Sequence, residues 1–583
     1  LKGNTMTVCS PIQEIYTRLR SPRWFAIVGV AFWGISLFFF AGTAAAQDAT
    51  ATPEPAVLLP TENGRYFATS GLCAACHANM FDEHGNDISF DTTWRATMMG
   101  NSGRDPYWRA GLRREVLSNP DFSAFIQDKC ATCHMPMART TANLSTGDVL
   151  QVFGEGGAIQ PGTEYHNLAL DSVSCTLCHQ ISNVHLGERE GQSGHYTIDG
   201  STDEFSHARV IYGPFVPSAS QSALMQSATN FTQTQSDHIS SSELCASCHE
   251  LFTPYFDVET RALAPVTFQE QTPYTEWLNS DYRISRTCQS CHMPIVDGLA
   301  PAASVGNPTP LMRTGVSQHT LLGGNVYLPR ILQQFGEELE VAATDEQFQQ
   351  YIDLTRQQLQ NDTARMSLQN AVVTEGTLSF DVFVQSLVGH KFPTAYPSRR
   401  TWLHVTVRDA AGTVVFESGS YNTNGSINGN DNDEDAQRFE PHYDVVTAPD
   451  QVQIYEPVMG DTAGHVTTTL LLASQYLKDN RLLPFGYDRA TAPVEIAIWG
   501  DAAADTDFIG GSDIVTYQVP VSSATGLTIE VELVYQTLGY RWAENLREFA
   551  DPVAAPEIVK FLSYYEAVPN IPELVVKASA QIQ

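Results

Sequence analysis

Basic side chains are scarce in this sequence. Lysine and arginine together number 33 against 65 acidic residues, a formal charge of −32 over 583 residues. So acidic a surface repels the phosphate backbone and excludes nucleic acid as a partner. It favours proteins with basic docking faces, with association rates that fall as salt rises. After Gly42 no apolar run matches the length of Trp24–Gly42, so the rest of the chain is not a series of membrane spans. No general acid–base pair or activated nucleophile stands out, and no strict repeat exists beyond one short motif. Apart from Cys9, none of the 11 cysteines stands alone. At 43% hydrophobic the composition is that of a globular protein of two or three domains.

Arg18, Arg20 and Arg23 precede "WFAIVGVAFWGISLFFFAG", and the small residues of "TAAAQD" follow. This is the charged, apolar, small-residue order of a secretory signal, with cleavage expected after Ala46. If uncleaved, Trp24–Gly42 is long enough to anchor the chain in a membrane. Cys9 precedes the apolar run and is not placed to carry a lipid. Residues 1–46 thus read as signal or anchor, and "QDATATPEPAVLLP" at 47–60 as a linker. The body is expected to be exported: periplasmic, at the outer cell surface or extracellular.

What is present is one spelling used five times: "CAACH" at 73–77, "CATCH" at 130–134, "CTLCH" at 175–179, "CASCH" at 245–249 and "CQSCH" at 288–292. Disulfides would explain the cysteines but not the histidine after each pair. Zinc needs four ligands, usually from two such knuckles. Here successive motifs start 57, 45, 70 and 43 residues apart, and five half-sites cannot be matched two by two. Covalent c-type haem accounts for the whole pattern. On a helical turn, cysteines at i and i+3 share a face and can add to the two vinyl groups, while the next residue directs its imidazole at the iron. The sequence therefore predicts five covalently bound haem c groups. Their thioether pairs are Cys73/Cys76, Cys130/Cys133, Cys175/Cys178, Cys245/Cys248 and Cys288/Cys291, and their proximal ligands are His77, His134, His179, His249 and His292.

Eleven of the 16 histidines lie outside the motifs. Five are predicted as distal ligands. His185 closes "CHQISNVH", His238 opens "HISSSELC", and His166 stands shortly before Cys175. His319 sits in "SQHTLLGGN", whose glycines let backbone approach a flat macrocycle. His390 sits in "VGHKFPTAYPSRR", a loop beside two prolines. His84, His195 and His207 are reserves, whereas His404, His442 and His465 lie in strand-rich sequence and read as ordinary. Met98 and Met99 are thioether alternatives. Arg399 and Arg400 flank the His390 loop and are candidates to neutralise propionates.

The region from about 65 to 330 resembles the multihaem cytochrome c superfamily that includes the tetrahaem cytochrome of ammonia oxidisers and hydroxylamine oxidoreductase. "CHQISNVH" is similar to that family's CHGPGSxH segment, whose last histidine often serves a haem, which implies that role for His185. The placing of His238 just upstream of a motif is also a habit of the family. "WRATMMGNSGRDPYW", "HTLLGGN", "GHKFPTAYPSRR" and "KDNRLLPFG" together resemble a larger class of exported multihaem cytochromes with a β-rich C-terminal part, over residues up to about 500. The chain departs from the enzymes of the group. It has no CxxCK motif, which pentahaem nitrite reductases carry, and the crosslinked-tyrosine haem of hydroxylamine oxidoreductase belongs to a chain with eight haems.

The expected fold class is α+β: a mostly helical and irregular five-haem domain, an antiparallel β-sandwich and a C-terminal helix. Residues 61–330 form the haem domain and 331–364 a helical connector, where Thr344 and Gln347 make a capping box. Alternation at Leu378–Val384, Leu403–Val407 and Leu527–Tyr535 marks the β-sandwich at 365–538. Residues 539–583 read as helix broken at Pro552. In "NGNDNDEDAQRFE", Asp431, Asp433, Glu434 and Asp435 offer alternate carboxylates for Ca2+, although Ala436 stands where an EF-hand requires glycine.

The expected function is electron transfer from a membrane donor to a terminal or extracellular acceptor, as a carrier more than a catalyst. The alternatives are an oxidoreductase of a small nitrogen or sulfur compound at one open haem, and a homo-oligomer stacked as a haem-lined extracellular filament.

Overall fold

In the computed structural model the motifs sit on short helices: Ser70–His77, Ser123–His134, Cys175–Cys178, Ser242–His249 and Cys288–His292. The structure describes residues 57–198, 209–305 and 310–583. The apolar run Trp24–Gly42, the expected cleavage site and His207 lie outside them. Among the described residues no helix is long and apolar enough to cross a membrane. Every motif helix ends at its histidine or one residue before it, so each imidazole leaves from the last turn with both thiols on the turn behind.

Other helices are fixed by their first residues. Asp105 accepts hydrogen bonds from the backbone N–H groups of Tyr107 and Trp108, with Pro106 at the first helical position, and starts the helix Pro106–Ser118. Thr344 and Gln347 form the predicted capping box at the head of Asp345–Asp362, whose Phe348, Tyr351, Ile352 and Leu359 are buried. Thr344→Ala removes the acceptor for the Gln347 N–H and should cost about 1 kcal/mol in denaturant unfolding.

From residue 364 the period changes to two. Besides the small hairpin of Pro457–Gly460 with Gln475–Asp479, nine strands follow: β1 (Ala364–Thr374), β2 (Thr377–Ser386), β3 (Arg400–Arg408), β4 (Val414–Ser418), β5 (Val445–Val446), β6 (Ile454–Tyr455), β7 (Ser512–Pro520), β8 (Leu527–Gln536) and β9 (Glu573–Ile582). They form a four-stranded sheet in the order β5-β7-β2-β1 and a five-stranded sheet in the order β4-β3-β8-β9, with β6 also paired to β3. Only the short β5–β7 pairing is parallel. Phe380 and Val382 of β2 face Tyr517 and Val515 of β7, while Val405 of β3 faces Val531 of β8. The inward residues of both sheets belong to one core, which explains why each strand buries alternate side chains.

The C-terminal segment differs from its prediction. It holds two helices, Tyr540–Glu544 and Pro556–Ala567, and then the strand β9 antiparallel to β8. "ELVVKASAQI" shows no strong alternation because, of its residues, only Val575 joins the fully buried core; pairing with β8 overrides its weak local preference. Tyr107 from the motif-bearing half packs in one apolar cluster with Phe348, Trp542 and Phe561. Pro53–Gln583 is accordingly a single compact unit of mixed α+β structure.

Candidate haem-binding site

The five motifs lie side by side in an order that the sequence does not follow. The Cys73 thiol of the first motif interacts with Cys175 of the third. Cys178 of the third lies within electrostatic reach of both cysteines of the fourth. Those in turn contact the second motif through Cys133–Cys248 and the fifth through Cys245–Cys288. The fourth motif is thus a hub with the second, third and fifth around it. No disulfide joins any of the ten motif cysteines.

The ten predicted thioether cysteines are not placed alike. Cys291 is the one exposed member, with its thiol 3.9 Å from Ser290 Oγ, whereas the other nine are half-buried. The fifth motif ends the path, so its second thiol has no further motif to pack against. Cys76, at the other end, acts electrostatically on Cys73 of its own motif. Its carbonyl accepts from the Ser304 backbone N–H at 2.8 Å and from Ser304 Oγ at 3.1 Å, which ties the end of the first motif helix to the segment beyond the fifth motif. At the two ends of the row, Cys73 meets the third motif and Cys288 the fourth. Cys130 of the second motif packs against an apolar cluster instead.

Four of the five motif histidines share a local arrangement. The Nδ1 atoms of His77 and His179 lie 2.7 and 2.6 Å from the backbone carbonyls of Ala302 and Tyr212. His292 Nδ1 bonds the Leu322 carbonyl, and His134 Nδ1 lies 3.3 Å from that of Ser102. A carbonyl can only accept, so Nδ1 carries the proton and Nε2 presents its lone pair, which is the tautomer a metal requires. Burial also keeps these rings neutral, lowering His134 and His249 to about 4.

Two motif histidines face a second imidazole. His319 stands opposite His179 with ring centroids 6.3 Å apart and planes within 22°. His390 stands opposite His292 at 6.3 Å and 17°. Two metal–nitrogen bonds of about 2 Å along one axis put facing imidazole centroids a little over ~6 Å apart, so both pairs fit one iron between them. The facing rings are prepared in the same way as the proximal ones. His319 Nδ1 lies 3.2 Å from the Ser317 carbonyl and His390 Nδ1 lies 2.8 Å from that of Lys391. Burial, reinforced by His179, holds His319 at about 3. Beside His319, a Cβ added at Gly323 would meet nothing within 4 Å, whereas one at Gly324 would strike the Tyr535 ring at 2.8 Å.

The other predicted distal residues are held differently. His166 is buried with Nδ1 3.2 Å from the Ala158 carbonyl and Nε2 3.1 Å from Glu340. His238 has Ser236 Oγ at Nδ1, 2.6 Å, and the Ile181 carbonyl at Nε2, 2.8 Å. In both, protein groups engage both ring nitrogens. His185 is exposed and bonds Glu188 through Nδ1 at 2.7 Å, and among the described residues it makes no ring contact with a motif histidine. Rings that the sequence did not flag stand beside two proximal histidines instead. Trp108 stacks on His134 at 4.5 Å and 6°, and Phe90 lies between His77 and His319 at 5.7 and 4.2 Å. Met98 and Met99 pack into apolar clusters.

A buried ion network aims His390. Lys391 Nζ donates to Asp479 at 2.7 Å, Arg481 grips the same carboxylate with two bonds of 2.8 Å, and Arg481 Nη1 reaches Glu276 at 3.0 Å. Glu276 also accepts from the Lys391 backbone N–H at 3.0 Å and from Thr394 Oγ1 at 2.5 Å. None of the four charged side chains is more than 3% exposed. Phe392 and Leu482 exchange backbone hydrogen bonds beside it. "GHKFPT" and "KDNRLL" are therefore two halves of one clamp, closed on Glu276 of the helix Pro273–Leu278 in the motif-bearing half. Burial opposes the charge on Asp479, but Arg481 and Lys391 outweigh it and hold the carboxyl at about 2.

The two arginines after this loop have separate fates. Arg400 is consumed by Asp433 through two bonds of 2.9 Å and by Gln536 at 2.7 Å, which removes it from the propionate candidates. Arg399 donates to the Thr394 carbonyl and makes no ion pair among the described residues; its charge lowers the affinity of His249 and His292 for protons. The Arg400 pair also disposes of the predicted Ca2+ loop, because Asp433 is taken by Arg400 and Asp431 by Arg438.

No family model matches the chain, and neither does any curated protein. Among solved structures it is similar to the crystal structure of a penta-heme cytochrome c552 from Thermochromatium tepidum, at 14% identity and a TM-score of 0.48, over 89% of this chain and 100% of that one. At that level of likeness, the reading of the site rests on the motifs and on the ring geometry.

Proposed function

We propose that this chain is an exported multihaem cytochrome c that carries electrons, with five haems each tethered by one CxxCH motif. The observation that carries the reading is the pair of facing imidazoles, His179/His319 and His292/His390, inside a continuous cluster of five motifs. Haem c closed by two imidazoles supplies one-electron exchange without an open coordination position. The chain's own residues serve that chemistry in three ways. Paired thiols on one helical turn fix the macrocycle edge. Backbone carbonyls at Nδ1 fix the tautomer and the ring plane. Burial keeps the imidazoles neutral and excludes water, which lowers the reorganisation that accompanies a change of charge. Placing the fourth motif at a hub gives the row a branch, with the first and fifth motifs at the ends of one path and the second on a spur. The acidic surface suits a basic redox partner, and the expected route runs from a membrane donor to a terminal or extracellular acceptor.

Intact mass spectrometry of the purified protein should show five haem-sized increments on one chain. A mass without them overturns the reading.

A second reading is favoured by one observation. Arg399 is a guanidinium without a carboxylate partner among the described residues, and it acts on His249, which makes no ring contact there. An open position on the haem of the fourth motif, with Arg399 drawing a small anion such as an oxidised nitrogen or sulfur compound, would make the protein an oxidoreductase. Electron paramagnetic resonance of the oxidised protein separates the two. Wholly low-spin signals without cyanide binding support the carrier, and a high-spin fraction near one haem in five supports the enzyme.

A further inference from the structure

Outside the motifs, four carboxylates crowd one end of the four-stranded sheet. Asp444 immediately precedes β5, Asp505 and Asp507 lie in the loop before β7, and Asp513 is the second residue of β7. Ligand atoms of Asp444, Asp505 and Asp507 lie within 4.8 Å of one another, and those of Asp505, Asp513 and His442 form a second such group. Asp505 is common to both. Among the described residues none of the four pairs with lysine or arginine, in contrast to Asp433 and Asp479. Like charges gathered without a counter-charge destabilise a fold unless a proton or a cation answers them.

The second observation is Asp513 itself. Its side chain is 0% exposed, and Oδ2 accepts from Tyr455 at 2.6 Å. Oδ1 is buried without a hydrogen-bond partner, with His442 Nε2 4.0 Å away, beyond hydrogen-bond reach. A buried carboxylate oxygen left unsatisfied is costly, and native structures seldom keep one without a ligand to meet it.

The donor set points to a hard cation. His442 Nδ1 accepts from Gln453 Nε2 at 2.9 Å and from Asn480 Nδ2 at 3.0 Å. Both amides are pinned in that sense, since Gln453 Oε1 accepts from the Tyr443 N–H and Asn480 Oδ1 from the Glu456 N–H. The neutral ring therefore bears its proton on Nε2, which donates to Asp505 at 3.0 Å. His442 orients a carboxylate and offers no lone pair to a metal. Oxygen alone remains, the donor type of Ca2+ and not of Zn2+.

We propose that Asp444, Asp505 and Asp507 bind one hard divalent cation of the Ca2+ type, backed by the buried carboxylate of Asp513, and that it ties the loop before β7 to the edge of the sheet. The site is independent of the haem reading and survives its failure.

The test uses the full holoprotein stripped with a chelator. Added millimolar CaCl2 should raise the unfolding temperature by several degrees and titrate calorimetrically at one ion per chain, with haem absorbance unchanged. Asp507→Asn keeps an acceptor for the Ile514 N–H, which is 3.3 Å from Oδ1, and so should fold. It should weaken Ca2+ at least tenfold, whereas Asp435→Asn, in the other acidic loop, should leave binding unchanged. Absence of any Ca2+-dependent heat and temperature shift overturns the proposal. So does a preference for Zn2+, or an Asp507→Asn variant that binds as the parent does.

Discussion

Replacing His390 by alanine should turn one haem in five high-spin while all five stay attached, and His319→Ala should do the same at another. Attachment depends on the cysteines, which neither change touches, whereas the facing ring is the only second imidazole that His292 or His179 has among the described residues. Under the proposed ligation, removing it would leave a cavity of imidazole size beside the haem that His292 or His179 would hold, and so one position open for added imidazole. Two readouts isolate this from a general loss of structure: a high-spin electron paramagnetic resonance signal worth one haem, and its disappearance when free imidazole is added. Wholly low-spin spectra in either variant would mean that the corresponding ring is not a ligand. The same change at His185, which is exposed and faces no motif histidine, should leave the spectra as they are.

Asp479→Ala should cost about 3–5 kcal/mol, a large part of the stability of an ordinary domain. The carboxylate is 1% exposed and is the shared partner of Lys391 and Arg481, which are 0% and 3% exposed. Without it two buried cations keep only Glu276 between them. A surface pair such as Lys560–Glu338, 60% and 47% exposed, contributes at most about 1 kcal/mol by comparison. Chemical denaturation measures the difference, and a loss below about 1 kcal/mol would show that the clamp is not closed as described.

The pH dependence has a definite sign. The folded value of Asp479, about 2, lies below its ordinary 3.8. Its contribution is therefore complete above about pH 4, fades as pH falls towards 2, and amounts to about 2 kcal/mol. The alanine variant should lose this part of the acid-unfolding limb. Because Lys391 adjoins His390, the variant should also loosen the fifth-motif pair and add some high-spin signal, which a merely less stable protein would not show.

Much of the cofactor chemistry was legible in the sequence because it is local. Two thiols and an imidazole within five residues need only one helical turn to share a face, and all five motifs occupy such turns. What the spacing could not say is how each thiol is surrounded: Cys291 lies exposed at the end of the row while Cys248, spelled the same way, sits at its hub. The capping box at Thr344 and the alternation of β2, β3 and β8 are local too, and they read correctly. β9 was illegible because its residues favour a strand only beside β8. The distal histidines divide along the same line. His185 and His238 looked like ligands for their closeness in sequence to a motif, yet His185 turns to solvent and Ile181 occupies Nε2 of His238. His319 and His390 come from far along the chain, and nothing in the sequence names the motif that His319 faces.

By itself, then, the sequence set five CxxCH motifs and the expectation of one tethered cofactor at each, since covalent tethering needs only neighbours along the chain. The tertiary structure alone decided the branched order of the motifs, the two facing imidazole pairs, and which carboxylates are answered by arginine and which are left to each other. Those depend on segments distant in sequence meeting where water is excluded, where one unpaired charge or one misplaced ring costs more than any local preference can repay.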